Sequence, residues 1–276
     1  MGARGGGFVI KRGVETRVDI VEAARNSIRV IINGKLAPEA KTTRSVAETL
    51  LTIAHEKYHV TISHVVAVPI GAGFGSSAGG ATGTAIALAD ALKLRLTYNE
   101  LGRIAHVSEI RCKTGLGTVG PVMLGGCILT IEPGSPGIGI IDRLPLPPDL
   151  AIVAGTFEPI PTKKLFLSSP AKRSKINRFG NNTLKAILEE PSVENFLAKC
   201  LEFANKSGFM TERTRKLVKA AERAGAVGAT QNMVGEAVHA LTRLKNMDDV
   251  AEAFKQVLPE ERVITTGIDF QGARLL

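Results

Sequence analysis

Tryptophan is absent from the 276 residues, and aromatic residues make up only 4%. A binder of single-stranded nucleic acid that stacks bases on aromatic rings is therefore disfavoured. Cysteine is scarce: Cys112, Cys127 and Cys200 build no disulfide framework, and no C-x-x-C pair offers zinc or redox chemistry. No apolar run reaches the ~18 residues of a membrane-spanning helix. The longest candidate, Val119 to Ile131, is broken by Pro121 and Gly125-Gly126. The start, Met1-Gly2-Ala3-Arg4-Gly5-Gly6-Gly7, lacks the charged-then-apolar order of a secretory signal. These absences predict a cytoplasmic protein in a reducing compartment, without a membrane partner.

Positive charge is in excess, with 35 Lys and Arg against 26 Asp and Glu and a formal charge of +9. Such a balance favours an anionic partner, either nucleic acid or a phosphorylated small molecule. No helix reads as a basic recognition helix, so the small molecule is preferred over nucleic acid. The stretch Thr162 to Lys185 holds no acid and would attract an anion over distance.

Periodicity divides the chain. Phe8 to Ile10, Val14 to Val18 and Ser27 to Ile32 read as strands, with Asn33-Gly34 as a turn. Ser45 to Lys57 reads as a helix opened by a Ser45/Glu48 capping box. Val60 to Val68 reads as a strand, Ser77 to Lys93 as a small-residue helix, and Tyr98 to Glu109 as a helix capped by Thr97. Val119 to Ile131 is strand-like. Pro133 to Pro148 is proline-rich and reads as a linker. Leu150 to Phe157 follows as a strand, then helical stretches at Val193 to Lys206, Glu212 to Ala224, Asn232 to Asn246 and Val250 to Val257. Arg262 to Ile268 reads as a last strand. The expectation is mixed α+β in two lobes, divided near Pro145.

The main chemical feature is Pro69-Ile70-Gly71-Ala72-Gly73-Phe74-Gly75-Ser76-Ser77-Ala78, between a strand and a helix. Alternating glycines let backbone N–H groups turn inward and let an anion approach. The helix behind adds unpaired N–H groups and a positive dipole end. Ser76 and Ser77 offer hydroxyls to a phosphate or a metal. A Walker loop is excluded, since no lysine follows until Lys93. A dinucleotide fingerprint is excluded because Ser76 stands at its third glycine and Asp90, at the spacing of its acid, falls inside a helix. A purely structural turn is the plain alternative.

At these residues the chain resembles the GHMP kinase superfamily, whose signature P-x-x-x-G-x-G-S-S-A is matched at every fixed position. Glu109, then Gly115-Leu116-Gly117-Thr118, then Gly125-Gly126 is similar to a second family segment. Ala224 to Met233 is similar to a third, glycine-rich one that leads into a helix. Gly2 to Phe8, Cys112 to Gly117, Phe157 to Lys163 and Gln231-Asn232-Met233 resemble the archaeal pantoate kinases within that superfamily. The resemblance implies an N-terminal ATP-binding lobe over 1–144 and a ferredoxin-like lobe over 145–276. It also implies ATP- and Mg2+-dependent phosphorylation of the primary hydroxyl of pantoate to 4-phosphopantoate, in coenzyme A synthesis. Family members are often homodimers. Pro69, Gly71, Gly73, Phe74, Gly75, Ser76, Ser77 and Ala78 would line the nucleotide, and Glu109 with Ser77 or Ser76 would hold Mg2+. Lys113 and Arg4 would meet carboxylate or phosphate oxygens. His106, Thr114, Thr162 and Lys163 would face the acceptor.

Two departures stand out. The family's first strand and its substrate-contacting loop precede a segment like Gly2 to Arg4, so that strand is expected to be missing from the N-terminal lobe. Thr118 stands where the family has its catalytic Asp. Kinases of the same fold for another hydroxy acid or an isoprenoid alcohol are alternatives, as is a non-catalytic homologue that binds nucleotide or nucleic acid. His55-Glu56-Lys57-Tyr58-His59 matches the zinc motif H-E-x-x-H. No Glu lies between Val60 and Asn99, and Ile62 occupies the place of the metzincin glycine. We expect no zinc there.

Overall fold

The computed structural model describes residues 2–158, 170–233 and 235–276. Among them the strands form three sheets. The first is β1 (Gly5–Phe8), β6 (Cys127–Glu132) and β7 (Ile140–Leu144), antiparallel throughout. The second has the order β2 (Val14–Glu22), β5 (Tyr58–Val66), β3 (Ser27–Ile32) and β4 (Lys35–Leu36). Here β3 and β5 run parallel, because α1 (Lys41–Ile53) intervenes as a crossover.

Helices α1 and α2 (Ser76–Ala91) cover the second sheet, and α3 (Tyr98–Cys112) packs on both. In α1 the buried residues Val46, Ala47, Leu50 and Leu51 recur at helical spacing and form one apolar stripe. Lys41 begins this helix, so Ser45 lies inside it and caps nothing; its hydroxyl donates to Ser108 instead, at 3.1 Å. By contrast α2 is made of small residues because it lies close on β2. A Cβ at Gly83 would stand 2.4 Å from the Thr16 hydroxyl oxygen. Glycine inside a helix costs about 1 kcal/mol, offset here by that approach.

His64 on β5 is 3% exposed beneath these helices. Its ring nitrogens meet Thr16 at 2.9 Å and Thr43 at 3.0 Å, so the neutral ring is fully satisfied. Burial lowers its pKa from 6.5 to about 4. The unfolded chain binds this proton below pH 6.5 and the folded chain does not. Stability is therefore complete above pH 6.5 and falls as pH drops toward 4, by up to about 3 kcal/mol from this site. Urea unfolding at pH 7 and pH 5 measures the loss, which is expected to shrink in His64→Gln.

The second lobe begins with β8 (Leu150–Glu158), followed by α5 (Pro170–Glu189), α6 (Val193–Ser207) and α7 (Glu212–Arg223). Strands β9 (Gly228–Gln231) and β10 (Glu236–Arg243), helix α8 (Met247–Lys255) and β11 (Val263–Gly267) complete it. The sheet order β11-β8-β10-β9, antiparallel throughout, is the ferredoxin-like arrangement. Helices α7 and α8 cover the face carrying Val153, Val238 and Ala240. The other face carries Ile152, Ala154 and Leu241 and packs toward α6 and the first sheet.

Three expectations about elements need correction. Asn232 to Asn246 is not helical, since β10 occupies its centre. Both faces of that strand are buried, and a strand covered on both sides loses its alternation and reads like a buried helix. Val119 to Ile131 divides into a short helix, α4 (Val119–Leu124), and β6, with Gly125 and Gly126 at positive φ between them. The proline-rich stretch is not all linker, because β7 pairs with β6 inside it. His55 lies in a turn and His59 in β5, where its ring bonds Ser27. No helix carries the H-E-x-x-H pair.

Candidate active site

Strand β5 delivers the chain into the glycine loop, and α2 takes it away. Gly71, Gly73 and Gly75 hold φ of +80°, +83° and +69°, the left-handed region that other residues enter at a cost of about 1–2 kcal/mol. Gly75 caps α2 without any side-chain hydrogen bond. Gly75 therefore offers the first-turn amides of α2 no side-chain acceptor of its own. Ala72 and Ala78 are buried beneath it, Ile70 is exposed, and Phe74 packs into the core between the lobes. Pro69 leads into the loop, and Ser76 starts the helix half-buried.

The facing wall comes from α3. A Thr97/Glu100 capping box opens that helix, and its last two turns carry His106 and Glu109, one turn apart on the same side. Glu109 is 2% exposed. Its carboxylate accepts hydrogen bonds from Ser77, in the first turn of α2, and from Thr114 at 3.2 Å. Burial raises the pKa of this carboxyl, while Ser77, Thr114 and the nearby His106 hold it down. The Thr114 hydroxyl also meets that of Thr42 in α1 at 2.8 Å. A Cβ at Gly115 would lie 2.1 Å from Glu109 Oε2, so only glycine leaves room for the carboxylate there.

Thr118 caps α4 and is exposed, and a Cβ at Gly75 would stand 2.8 Å from its methyl carbon. The structure thus brings Gly75, Ser77, Glu109, Thr114 and Thr118 together. Lys113 sits exposed at the left-handed C-cap of α3, φ +59°. Arg4 is turned elsewhere, with its Nε donating to the Ile131 carbonyl at 2.9 Å and Nη1 lying 3.5 Å from Asn181 on α5. The backbone beside it does touch the site, since Ala3 N–H donates to Leu116 O at 2.8 Å. Thr162 and Lys163 lie outside the described residues.

Two features escaped the sequence reading. One is the Thr42–Thr114 support behind Glu109. The other is the β9–β10 turn, which seats against the glycine loop. A Cβ at Gly73 would approach Asn232 Cβ to 3.0 Å, and one at Gly235 would stand 2.7 Å from the Ala72 carbonyl carbon. The segment ending in Gln231-Asn232-Met233 was recognisable as a motif, but it leads into strand β10, not a helix. The turn is braced by Gln231 Nε2 donating to Gly235 O at 2.8 Å. Behind it Arg213 grips Glu236 with two nitrogens.

Residues 41–126 match the family described as GHMP kinases N terminal domain. The pantoate kinase of Thermococcus kodakarensis is 29% identical over 94% of this chain and 84% of its own length. That of Methanocaldococcus jannaschii is 28% identical over 92% and 88%. A solved structure titled as a phosphotransferase related to the CoA biosynthesis pathway superposes with a TM-score of 0.85 at 29% identity. It covers 98% of this chain and 88% of that one. Among the described residues no helix is long and apolar enough to cross a membrane.

Proposed function

We propose that this chain, which belongs to the GHMP kinase superfamily and is a phosphotransferase with an alcohol acceptor, transfers the γ-phosphoryl group of ATP to the primary hydroxyl of pantoate, a step toward coenzyme A. The observation that carries the reading is the buried Glu109 carboxylate held against Ser77, in the first turn of the helix that the glycine loop opens. The similarity to pantoate kinases over nine-tenths of the chain supports the acceptor.

Loop amides and the N-terminal end of α2 bind the phosphate oxygens. Glu109 and the Ser77 hydroxyl would hold Mg2+. One carboxylate plus a hydroxyl suits an ion that keeps water and phosphate oxygens in its shell. Among the described residues no cluster of three or more His, Cys, Asp or Glu makes an all-protein cage. When bound, the ion would neutralise charge on the transferring phosphate. Thr114 and Thr42 hold the carboxylate in place from behind.

Thr118 is the exposed side chain beside Gly75. Its hydroxyl can accept a hydrogen bond and orient the acceptor alcohol, but it cannot retain the proton at neutral pH. Phosphoryl transfer passes through a loose transition state, in which positioning and charge neutralisation outweigh base strength. We therefore expect Thr118→Val to lower kcat by about 10- to 100-fold and Thr118→Asp to stay within about tenfold of the parent. A rise of several hundred-fold in Thr118→Asp would sink the base-free mechanism. Labelled ATP with a panel of pantoate, other hydroxy acids and isoprenoid alcohols tests the acceptor. Transfer to pantoate with the highest kcat/KM is expected, and preference for a different alcohol would overturn the assignment.

A further inference from the structure

Three buried polar atoms on one face of the second lobe's sheet have no partner among the described residues: Thr156 Oγ1, Thr230 Oγ1 and His239 Nε2. The register places them on adjacent strands of that face. Thr230 stands directly opposite His239 across β9 and β10, and Thr156 stands opposite Ala237 on β8. Residues paired this way project from the same side of a sheet. That side also carries Ala154 and Leu241, in the core between the lobes that takes in Phe8 and Phe74. The Phe8 ring lies edge-on to His239, centroids 5.7 Å apart. Phe74 belongs to the glycine loop, so this face adjoins the phosphate cradle.

Native proteins seldom leave one such atom unsatisfied, and three on one face, with His239 between the two threonine strands, call for a ligand. From this placement we infer that Thr156, Thr230 and His239 form a subsite for a neutral hydroxyl group, supplied either by the acceptor alcohol or by ordered water. The polarity follows from His239 itself. Its Nδ1 lies 2.6 Å from Asn232 Oδ1, an atom that can only accept, so Nδ1 carries the proton and Nε2 presents a lone pair. Burial lowers the pKa of the ring to about 4, which keeps it neutral near pH 7. A lone pair repels carboxylate and phosphate oxygens but accepts from an O–H, and the two threonine hydroxyls can donate in return. Asn232 also rests on Gly73, so the residue that sets the tautomer touches the nucleotide loop.

The acceptor arm rests on the function proposed above; the water arm does not. Crystals of the full chain, with and without pantoate, are read for density within hydrogen-bond distance of His239 Nε2. Thr156→Val and Thr230→Val, nearly isosteric with the parent, are assayed and melted beside it. If the acceptor supplies the hydroxyl, pantoate KM rises tenfold or more in both variants and the KM for ATP stays within twofold. If water supplies it, acceptor KM is unchanged, a water bridges Nε2 and a threonine, and both variants melt lower. No density at Nε2 in either crystal, with both variants melting at or above the parent, overturns the subsite. Should pantoate prove not to be a substrate, the density and melting readouts still decide it.

Discussion

Glu109→Gln is expected to lower the transfer rate by about 10²- to 10³-fold without lowering thermal stability. In the proposed mechanism the carboxylate would hold the metal, and glutamine keeps its size while removing its charge. Stability moves the other way because Glu109 is buried, and burial raises its pKa in the folded state. A carboxyl whose folded pKa is raised weakens the fold as pH climbs through that pKa, since the folded protein must give up a proton it holds more tightly than the unfolded chain does. At neutral pH the parent carries this cost and the variant does not. If the ionised form is the active one, as the proposed metal role requires, the same shift is expected to place the acid limb of the rate profile above the range of an ordinary carboxylate. Initial rates against Mg2+ concentration and pH, with thermal melting, check all three. Retention of rate and Mg2+ dependence would remove Glu109 from the mechanism. A large drop in melting temperature would make its role structural.

Gly115→Ala is expected to reproduce much of that loss without touching a charge. Its φ lies outside the left-handed region, so alanine fits the backbone. The added carbon would stand 2.1 Å from Glu109 Oε2 and 2.7 Å from Cδ. The carboxylate must move aside, away from the hydroxyls that place it. A displacement of about 1 Å at a reacting site can cost about 10²-fold in rate. The expected result is that loss in kcat, with a weakened response to Mg2+ and little change in melting temperature. Gly13→Ala is the control, since its Cβ would meet its nearest neighbour only at 4.0 Å. Full activity in Gly115→Ala would show that the carboxylate needs no fixed position.

Much of the site is legible along the chain because its chemistry is local. Glycines at alternate positions after a strand, with serines opening the next helix, announce an anion cradle before any packing is known. Glu109 is legible as the acid that closes a helix just ahead of a glycine turn. What holds Glu109 is not legible. Thr42 lies 72 residues from Thr114, and neither threonine shows in its neighbours that the two will meet. Gly115 reads as one more loop glycine until the carboxylate is seen pressed against it. Arg4, which the resemblance places on substrate oxygens, rests on Ile131 and beside Asn181 of α5.

The sequence by itself determined the two-lobe α+β plan, the glycine loop between strand and helix and the acid that closes the helix facing it, because turn chemistry and helix capping depend on residues a few positions apart. Tertiary structure alone decided that Asn232 to Asn246 holds a strand, that its turn rests on Gly73, and that three orphaned polar atoms share one face. Those outcomes depend on strand register and on what covers each face. A buried strand and a buried helix can carry the same string of apolar residues, and only the partner across the interface distinguishes them.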